Sequence, residues 1–466
     1  MATLRLPTTG SVVTGTQQDD LLIIPSGFAH SSKFLAEAGS DSVEFSVGEL
    51  SAIDFNVQLQ GGPDKFVVSG ITLKSSIVNG GAGSDVIELL DSNVTAITVY
   101  GGYGSDVIHA KSSNLSNVRA GAGADIISTE TGSKLTAEST QILMGAGKDT
   151  LTIADSNGSA SDLDELTIAG GGGDDLISLK NSTSVSNLYI HGDASGASGD
   201  DKIDLILTSE NLTVLGGGGR DTIEVSGSVL GNSKIAGLAG ADSIVLSAVF
   251  EADNGLSVLG GAGKDSISIL SAFTSHGLVH GGNGSDSISL IFDQDIVNSL
   301  STVVGGLGSD TVHFDVANIS AGAQNGVGFI IGIDSLNDSN VENPDLYLYS
   351  NSETGLLSGT KFAVNLPDAL VPLPAAASSG DRLNVSAGVA TFSALDSIGE
   401  RVSILDAQLS TVGEYVVFKD IDSNAGYLFV QGGSSDLLLK FENQTGSIEN
   451  LSLMNGNEQR VDLLLG

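Results

Sequence analysis

The chain has 466 residues and a formal net charge of −37, yet only 16% of its residues are charged and 40% are apolar. The acidic excess excludes nucleic acid, whose phosphates need Lys and Arg partners, and anionic membrane surfaces, and it favours cations; the ordered recurrence of apolar residues excludes a disordered acidic chain. There is no cysteine, so disulfides and thiolate metal sites are ruled out, and no run approaches the roughly 18 apolar residues of a membrane span.

The first segment, Met1-Ala2-Thr3-Leu4-Arg5-Leu6-Pro7, lacks the apolar stretch of a Sec signal, so any export is expected by another route. From there an aspartate recurs at Asp20, Asp41, Asp64, Asp85, Asp106, Asp125, Asp149, Asp175, Asp201, Asp221, Asp242, Asp265, Asp286 and Asp310, at intervals of 19 to 26 residues. It usually follows a glycine-rich turn and precedes an aliphatic residue, as in Gly80-Gly81-Ala82-Gly83-Ser84-Asp85-Val86-Ile87 and Gly281-Gly282-Asn283-Gly284-Ser285-Asp286-Ser287-Ile288. A fixed period of this size predicts a solenoid, in which one coil cannot bury its apolar face without its neighbours.

Each coil reads as two short strands. Two residues after the aspartate stands an aliphatic residue, such as Ile87, Ile108, Ile127, Leu151, Ile177, Ile203, Ile223, Ile244, Ile267 or Ile288. A second follows two further on, at Leu89, Ile153, Leu179, Leu205, Val225, Leu246, Ile269 and Leu290. This is the alternation of a strand with one buried face. Seven residues before the aspartate lies another row: Val78, Val99, Val118, Ile142, Ile168, Val214, Ile235, Val258, Val279 and Val303. The glycine turn joins the two strands, and a variable Ser/Asn/Thr-rich stretch such as Asp91-Ser92-Asn93-Val94-Thr95-Ala96 closes the coil. An insertion, His191-Gly192-Asp193-Ala194-Ser195-Gly196-Ala197-Ser198-Gly199, interrupts the pattern before Asp201. Coils of about 22 residues, stacked in parallel at about 4.8 Å, predict a rod about 65 Å long over fourteen repeats.

Stacking brings the aspartates into a column about 5 Å apart, where bare like charges repel by roughly 1–3.5 kcal/mol per adjacent pair. Salt screens this only partly. A divalent cation between turns relieves it, and carboxylates with backbone carbonyls form a ligand set for a hard cation, with calcium tolerating irregular cages better than magnesium. The plainer reading is that Gly-Asp turns simply cap β-coils, since both are ordinary turn residues.

These turns resemble the RTX nonapeptide, G-G-x-G-x-D-x-U-x, of calcium-binding parallel β-rolls. The resemblance implies that the Asp carboxylates and turn carbonyls of consecutive coils share each ion. On this chain it implies carboxylate ligands at Asp85, Asp106, Asp125, Asp149, Asp175, Asp201, Asp221, Asp242, Asp265, Asp286 and Asp310. It implies carbonyl ligands at Gly81, Gly83, Gly102, Gly104, Gly121, Gly123, Gly145, Gly147, Gly171, Gly173, Gly217, Gly219, Gly240, Gly261, Gly263, Gly282, Gly284, Gly306 and Gly308. The family's usual roll carries the motif at both ends of each coil; here only one end has it, so one column of Ca2+ ions is expected rather than two. The early copies are degenerate: Gly15-Thr16-Gln17-Gln18-Asp19-Asp20 lacks the turn glycines, and Gly61-Gly62-Pro63-Asp64 has a proline inside the turn.

The repeat ends after Phe314. Strands are predicted at Phe329-Ile330-Ile331 and Leu346-Tyr347-Leu348-Tyr349, followed by a Pro- and Ala-rich break from Pro367 to Gly380. Three more follow at Glu414-Tyr415-Val416-Val417-Phe418, Gly426-Tyr427-Leu428-Phe429-Val430 and Asp436-Leu437-Leu438-Leu439-Lys440-Phe441. This last pattern, with the acidic and apolar end Val461-Asp462-Leu463-Leu464-Leu465-Gly466, resembles the C-terminal part of bacterial RTX proteins exported by type I secretion. A β-cap shielding the last coil accounts for it equally. Asp420-Ile421-Asp422-Ser423-Asn424-Ala425-Gly426 misses the EF-hand spacing, having its glycine one place late and Gln431 where the glutamate belongs, and reads as a hairpin turn. His276 and His280 sit in a strand-turn context, and there is no H-E-x-x-H to suggest a zinc protease.

The expected fold is therefore all-β: a right-handed parallel β-solenoid, RTX-like, with a β-rich C-terminal domain. Its divisions are 1–74 (degenerate coils or cap), 75–316 (solenoid), 317–380 (transition and linker) and 381–466 (cap, secretion or assembly). No tryptophan and few candidate bases argue against catalysis. The expected function is that of a calcium-binding structural or adhesive solenoid at a bacterial surface, S-layer-like or matrix-forming. The alternative is a phage virion part such as a fibre, spike or capsid decoration. Calcium and self-assembly, or other surface or virion proteins, are the expected partners.

Overall fold

The computed structural model describes residues 2–315 apart from 6–9, 25–27, 46–50, 131–133, 136–139, 155–162, 195, 252–254, 271–276, 292–300 and 308–309. Beyond these it describes 329–331, 349–350, 364–365, 371–372, 383–386, 389–392, 401, 404–405, 408, 414–419, 426–430, 437–441, 448–453 and 459–465. The chain forms two compact units, Met1–Leu230 and Gly231–Gly466.

In the first unit, parallel strands stack coil upon coil as a β-solenoid. The strand after each aspartate pairs with its counterpart one coil on, so that Leu22, Val43, Phe66, Ile87, Ile108, Ile127, Leu151, Ile177, Ile203 and Ile223 stand in one register row. The strand before the turn builds the opposite wall, with Val13, Phe34, Val57, Val78, Val99, Val118, Ile142, Ile168, Ile190 and Val214 in line. From Leu22 and Phe34 onward these side chains are buried. Alternation places the intervening residues outside, where inter-coil pairs such as Lys65–Glu88 at 3.3 Å and Lys111–Glu130 at 3.1 Å sit half-exposed. Such surface pairs contribute at most about 1 kcal/mol each. The core does the stabilising.

The connection closing each coil is more ordered than its Ser/Asn-rich sequence predicts. Phe28–His30, Ser51–Ile53, Thr72–Lys74 and Asn93–Thr95 form a third, narrow parallel sheet, with Ala52, Leu73 and Val94 buried against the core. Serines fill its corners: Ser92 Oγ donates to Leu90 O at 2.7 Å, and Ser113 Oγ accepts the Ser92 N–H at 2.8 Å. The coil there has three walls rather than two. Further along, connections and strands merge, as in the 18-residue strand Leu176–Asp193.

The second unit repeats the two main rows. Ile244, Ile267, Ile288 and Val312 align on one wall, and Ile235, Val258, Val279 and Val303 on the other. The predicted strand at 329–331 is present and pairs in parallel with Ser301–Leu307. Glu414–Lys419, Gly426–Val430 and Leu437–Phe441 form an antiparallel meander, matching the three strands read from the sequence. Phe418 stacks on Tyr427 at 5.0 Å and meets Phe392 edge-on at 5.5 Å. Only Tyr349 of the predicted strand at 346–349 is described; of the Pro- and Ala-rich break only the short strand Val371–Pro372 is described, pairing in parallel with Glu414–Lys419, and the EF-hand-like turn at 420–425 and His276 lie outside the described residues. Among the described residues no helix is long and apolar enough to cross a membrane.

Burial, not apolarity alone, sets the cost of a truncation. Ile108 is 0% exposed and Ile126 is 46% exposed on the outer face. Ile108→Ala is expected to cost about 2–5 kcal/mol and Ile126→Ala about 0.5 kcal/mol or less, read as shifts in the urea midpoint.

Candidate metal centre

The turn that carries each aspartate is built by backbone conformations that exclude side chains. Gly102 and Gly104 have φ of 120° and 118°, and a Cβ on either would strike the equivalent glycine carbonyl of the coil before it. The turn stays inside the parallel ladder, with the Gly104 N–H donating to Ala122 O at 2.7 Å. Positive φ recurs at all the glycines carried over from the RTX resemblance that lie among the described residues; Gly308 lies outside them.

The aspartate side chain turns inward. From Asp41 to Asp310 the repeated aspartates are 0–3% exposed, which their charge alone would not suggest. In Asp41 to Asp221, and again in Asp265, Asp286 and Asp310, Oδ1 accepts the backbone N–H of the aspartate one coil earlier. Asp85 N–H donates to Asp106 Oδ1 at 2.8 Å and Asp106 N–H to Asp125 Oδ1 at 2.8 Å. The chain of such bonds runs unbroken from Asp20 to Asp221 in the first unit and from Asp242 to Asp310 in the second. The aspartate carbonyl continues the ordinary ladder, Asp85 O accepting from Val107 N–H at 2.8 Å. So the carboxylate replaces the one acceptor that the turn withdraws from the sheet. Each such charge-assisted bond contributes about 1.5–3 kcal/mol.

The second oxygen is different. Oδ2 of Asp41, Asp64, Asp85, Asp106, Asp125, Asp149, Asp175, Asp201, Asp265 and Asp286 is buried with no hydrogen-bond partner among the described residues. In Asp85, Asp106, Asp175, Asp201, Asp265 and Asp286 it faces the first glycine of the turn: a Cβ on Gly101 would run into Asp106 Oδ2 and the carbonyl oxygen of Ala120 in the next coil. The same pair, Oδ2 and a next-coil carbonyl, borders Gly80, Gly170, Gly192, Gly260 and Gly281. These glycines lack the positive φ that would otherwise require them. Four coils carry a side chain at this place: Ala36, Leu59, Ala120 and Met144. The carbonyls four residues before the aspartate have ladder work instead, Gly171 O accepting from Ala194 N–H at 2.6 Å. The carbonyl five residues before the aspartate, which the sequence motif did not single out, is thus the one that shares a space with Oδ2.

Electrostatics follow from the burial. Desolvation pushes the carboxyls of Asp41, Asp149 and Asp286 up to about 6 and those of Asp64, Asp106, Asp175 and Asp201 up to about 7; the N–H bonds oppose it and neighbouring aspartates add to it. Asp20 is the exception. Burial again pushes upward there, but Thr16 N–H at 2.6 Å, the Thr16 hydroxyl and Ala2 N–H outweigh it and hold the group below its ordinary value. The degenerate first turn satisfies its own carboxylate.

The donor set fits a hard cation: a buried carboxylate oxygen lacking a partner, a carbonyl beside it, and neither thiolate nor imidazole. Among the described residues no three acidic or histidine side chains converge on one point. A cation would therefore take one carboxylate per coil and fill its shell from backbone carbonyls. In comparisons with protein families, curated proteins and solved structures the chain has no match. Fold and site together define the class, a parallel β-solenoid with rows of buried, half-satisfied carboxylates.

These raised values fix a pH dependence. Between about pH 4, the unfolded carboxyl value, and about pH 7 the folded chain holds more protons than the unfolded chain. Stability from this source is full below that window and is lost as pH rises through it. In calcium-free buffer the melting temperature is expected to fall from pH 5 to pH 8; an increase over that range would contradict the burial of ionisable carboxylates.

Proposed function

We propose that this chain is a calcium-stabilised structural or adhesive β-solenoid, RTX-like and without catalysis, that works outside a bacterial cell. The reading rests on one observation: carboxylate after carboxylate is buried with Oδ2 lacking a partner. Asparagine would supply the same Oδ1 acceptor to the N–H of the neighbouring coil, without a charge. A buried, unpaired carboxylate costs several kcal/mol. Repeating that cost coil after coil makes sense if a cation offsets it.

Asp85, Asp106, Asp175, Asp201, Asp265 and Asp286, whose turns open with glycine, would hold the ions, with the next-coil carbonyl at their side. Calcium would supply positive charge to oppose desolvation and repulsion along each row. Because it binds only the folded coil, it adds about 2.7 kcal/mol per site at a hundred times its dissociation constant. The same linkage suits an exported chain that folds where calcium is plentiful, the role inferred for the C-terminal segment in type I secretion. Sheet faces of mixed small, polar and aliphatic residues suit contact with other copies or surface proteins.

Circular dichroism melts with and without calcium test this. EGTA should abolish the β-signal of residues 75–316 or lower the melting temperature by ten degrees or more. Asp106→Asn should raise stability in EGTA, by removing a buried charge while keeping an acceptor for Asp85 N–H, and lower it in millimolar calcium. An unchanged melt on adding calcium, or one sign for the variant in both buffers, would mean that the carboxylate rows are hydrogen-bonded staples and no more.

A further inference from the structure

One turn departs from all its neighbours. Where Gly145, Gly171 and Gly217 stand with positive φ, the coil of Asp201 places Asp193, aligned in register with Gly171. Four inserted residues, Ala194 to Ala197, follow before the turn resumes at Gly199, closed by a hydrogen bond from Ala197 N–H to Ala194 O at 2.9 Å. Asp193 thus places a buried carboxylate where the neighbouring turns carry glycine.

Asp193 is 2% exposed. Its Oδ2 accepts the Gly218 N–H at 2.8 Å, while Oδ1 is buried with no partner among the described residues. The side chain lies over Gly217, where a Cβ would come within 2.6 Å of Asp193 Cβ, so the next coil leaves room for it by having none. The residue beside it, Gly192, borders Asp201 Oδ2, itself unpartnered, and the carbonyl oxygen of Gly216. The Asp193 charge pushes the Asp201 carboxyl upward and adds to the rise at Asp175. Neither Asp193 nor Asp201 belongs to an ion pair among the described residues; the nearby cations Arg220 and Lys148 are engaged on the exposed Asp200 and Asp174.

We propose that Asp193 and Asp201, with the Gly216 carbonyl, form a calcium site of higher affinity than the single-carboxylate positions of the other coils. It rests on the reading of the aspartate rows as calcium sites and adds a rank order to them. Two carboxylate oxygens in place of one supply more charge to the ion, and charge count is a principal control on calcium affinity. The Asp193 carboxylate is already held by the Gly218 N–H, and the Gly199 N–H donates to Gly218 O at 2.8 Å, so little ordering accompanies binding.

The test is calorimetric titration of calcium into the calcium-depleted full chain, comparing wild type with Asp193→Asn and Asp193→Gly, the latter restoring the residue that other turns carry. Circular dichroism in calcium verifies that each variant folds. Wild type should show one ion per chain binding at least tenfold tighter than the rest; both variants should lose that event and keep the weaker ones. A single affinity class in wild type, or a tight event that survives in both variants, overturns this proposal while leaving the rows as calcium sites. No calcium uptake by wild type overturns both.

Discussion

The bond from aspartate N–H to the carboxylate of the next coil, repeated within each unit, is the constraint on which the rest of the structure depends. A parallel ladder needs every backbone donor met by an acceptor one coil away. The glycine turn satisfies most of that demand while its chain reverses, but at the strand entry the acceptor must come from a side chain. A buried side chain of aspartate length does this, and the strand then starts in register. With register set, the aliphatic residue two places on falls on its counterpart in each coil, and the core closes.

The same bond creates the chemistry. An acceptor that is a carboxylate brings a second oxygen and a charge into a desolvated place, next to its equivalents. Protonation or a cation can compensate; the raised carboxyl values describe the first and the carbonyl beside Oδ2 accommodates the second. Stability, pH response and ligand preference are therefore one property of the turn. The contrast at Asp20 supports this view, since a threonine four residues earlier supplies the missing donors and the value falls instead of rising.

Much of the fold was legible because it repeats. The strand period and the coil period are both carried by aliphatic residues, and rows such as Ile87, Ile108 and Ile127 are buried where alternation puts them. Ile190 escaped because the insertion before Asp201 moved it from seven to eleven residues ahead of its aspartate, although in space it aligns with Ile168 and Val214. The third wall escaped because strands such as Thr72–Lys74 and Asn93–Thr95 bury a single residue each, Leu73 and Val94, too little for any periodicity. The site was half legible. Motif spacing located the aspartates and the positive-φ glycines, but spacing does not say which way a carboxylate points. That one oxygen is consumed by the ladder, and that the other lies against the first glycine of the turn in the coils of Asp85, Asp106, Asp175, Asp201, Asp265 and Asp286, are facts of three-dimensional packing.

The most direct test is diffraction from crystals grown in calcium and then exchanged into terbium, with anomalous maps. Peaks beside Oδ2 of Asp85, Asp106, Asp175, Asp201, Asp265 and Asp286, with the bonds to Oδ1 still in place, are the predicted result. Maps with no peak along either aspartate row, in a lattice that retains those hydrogen bonds, would contradict the account.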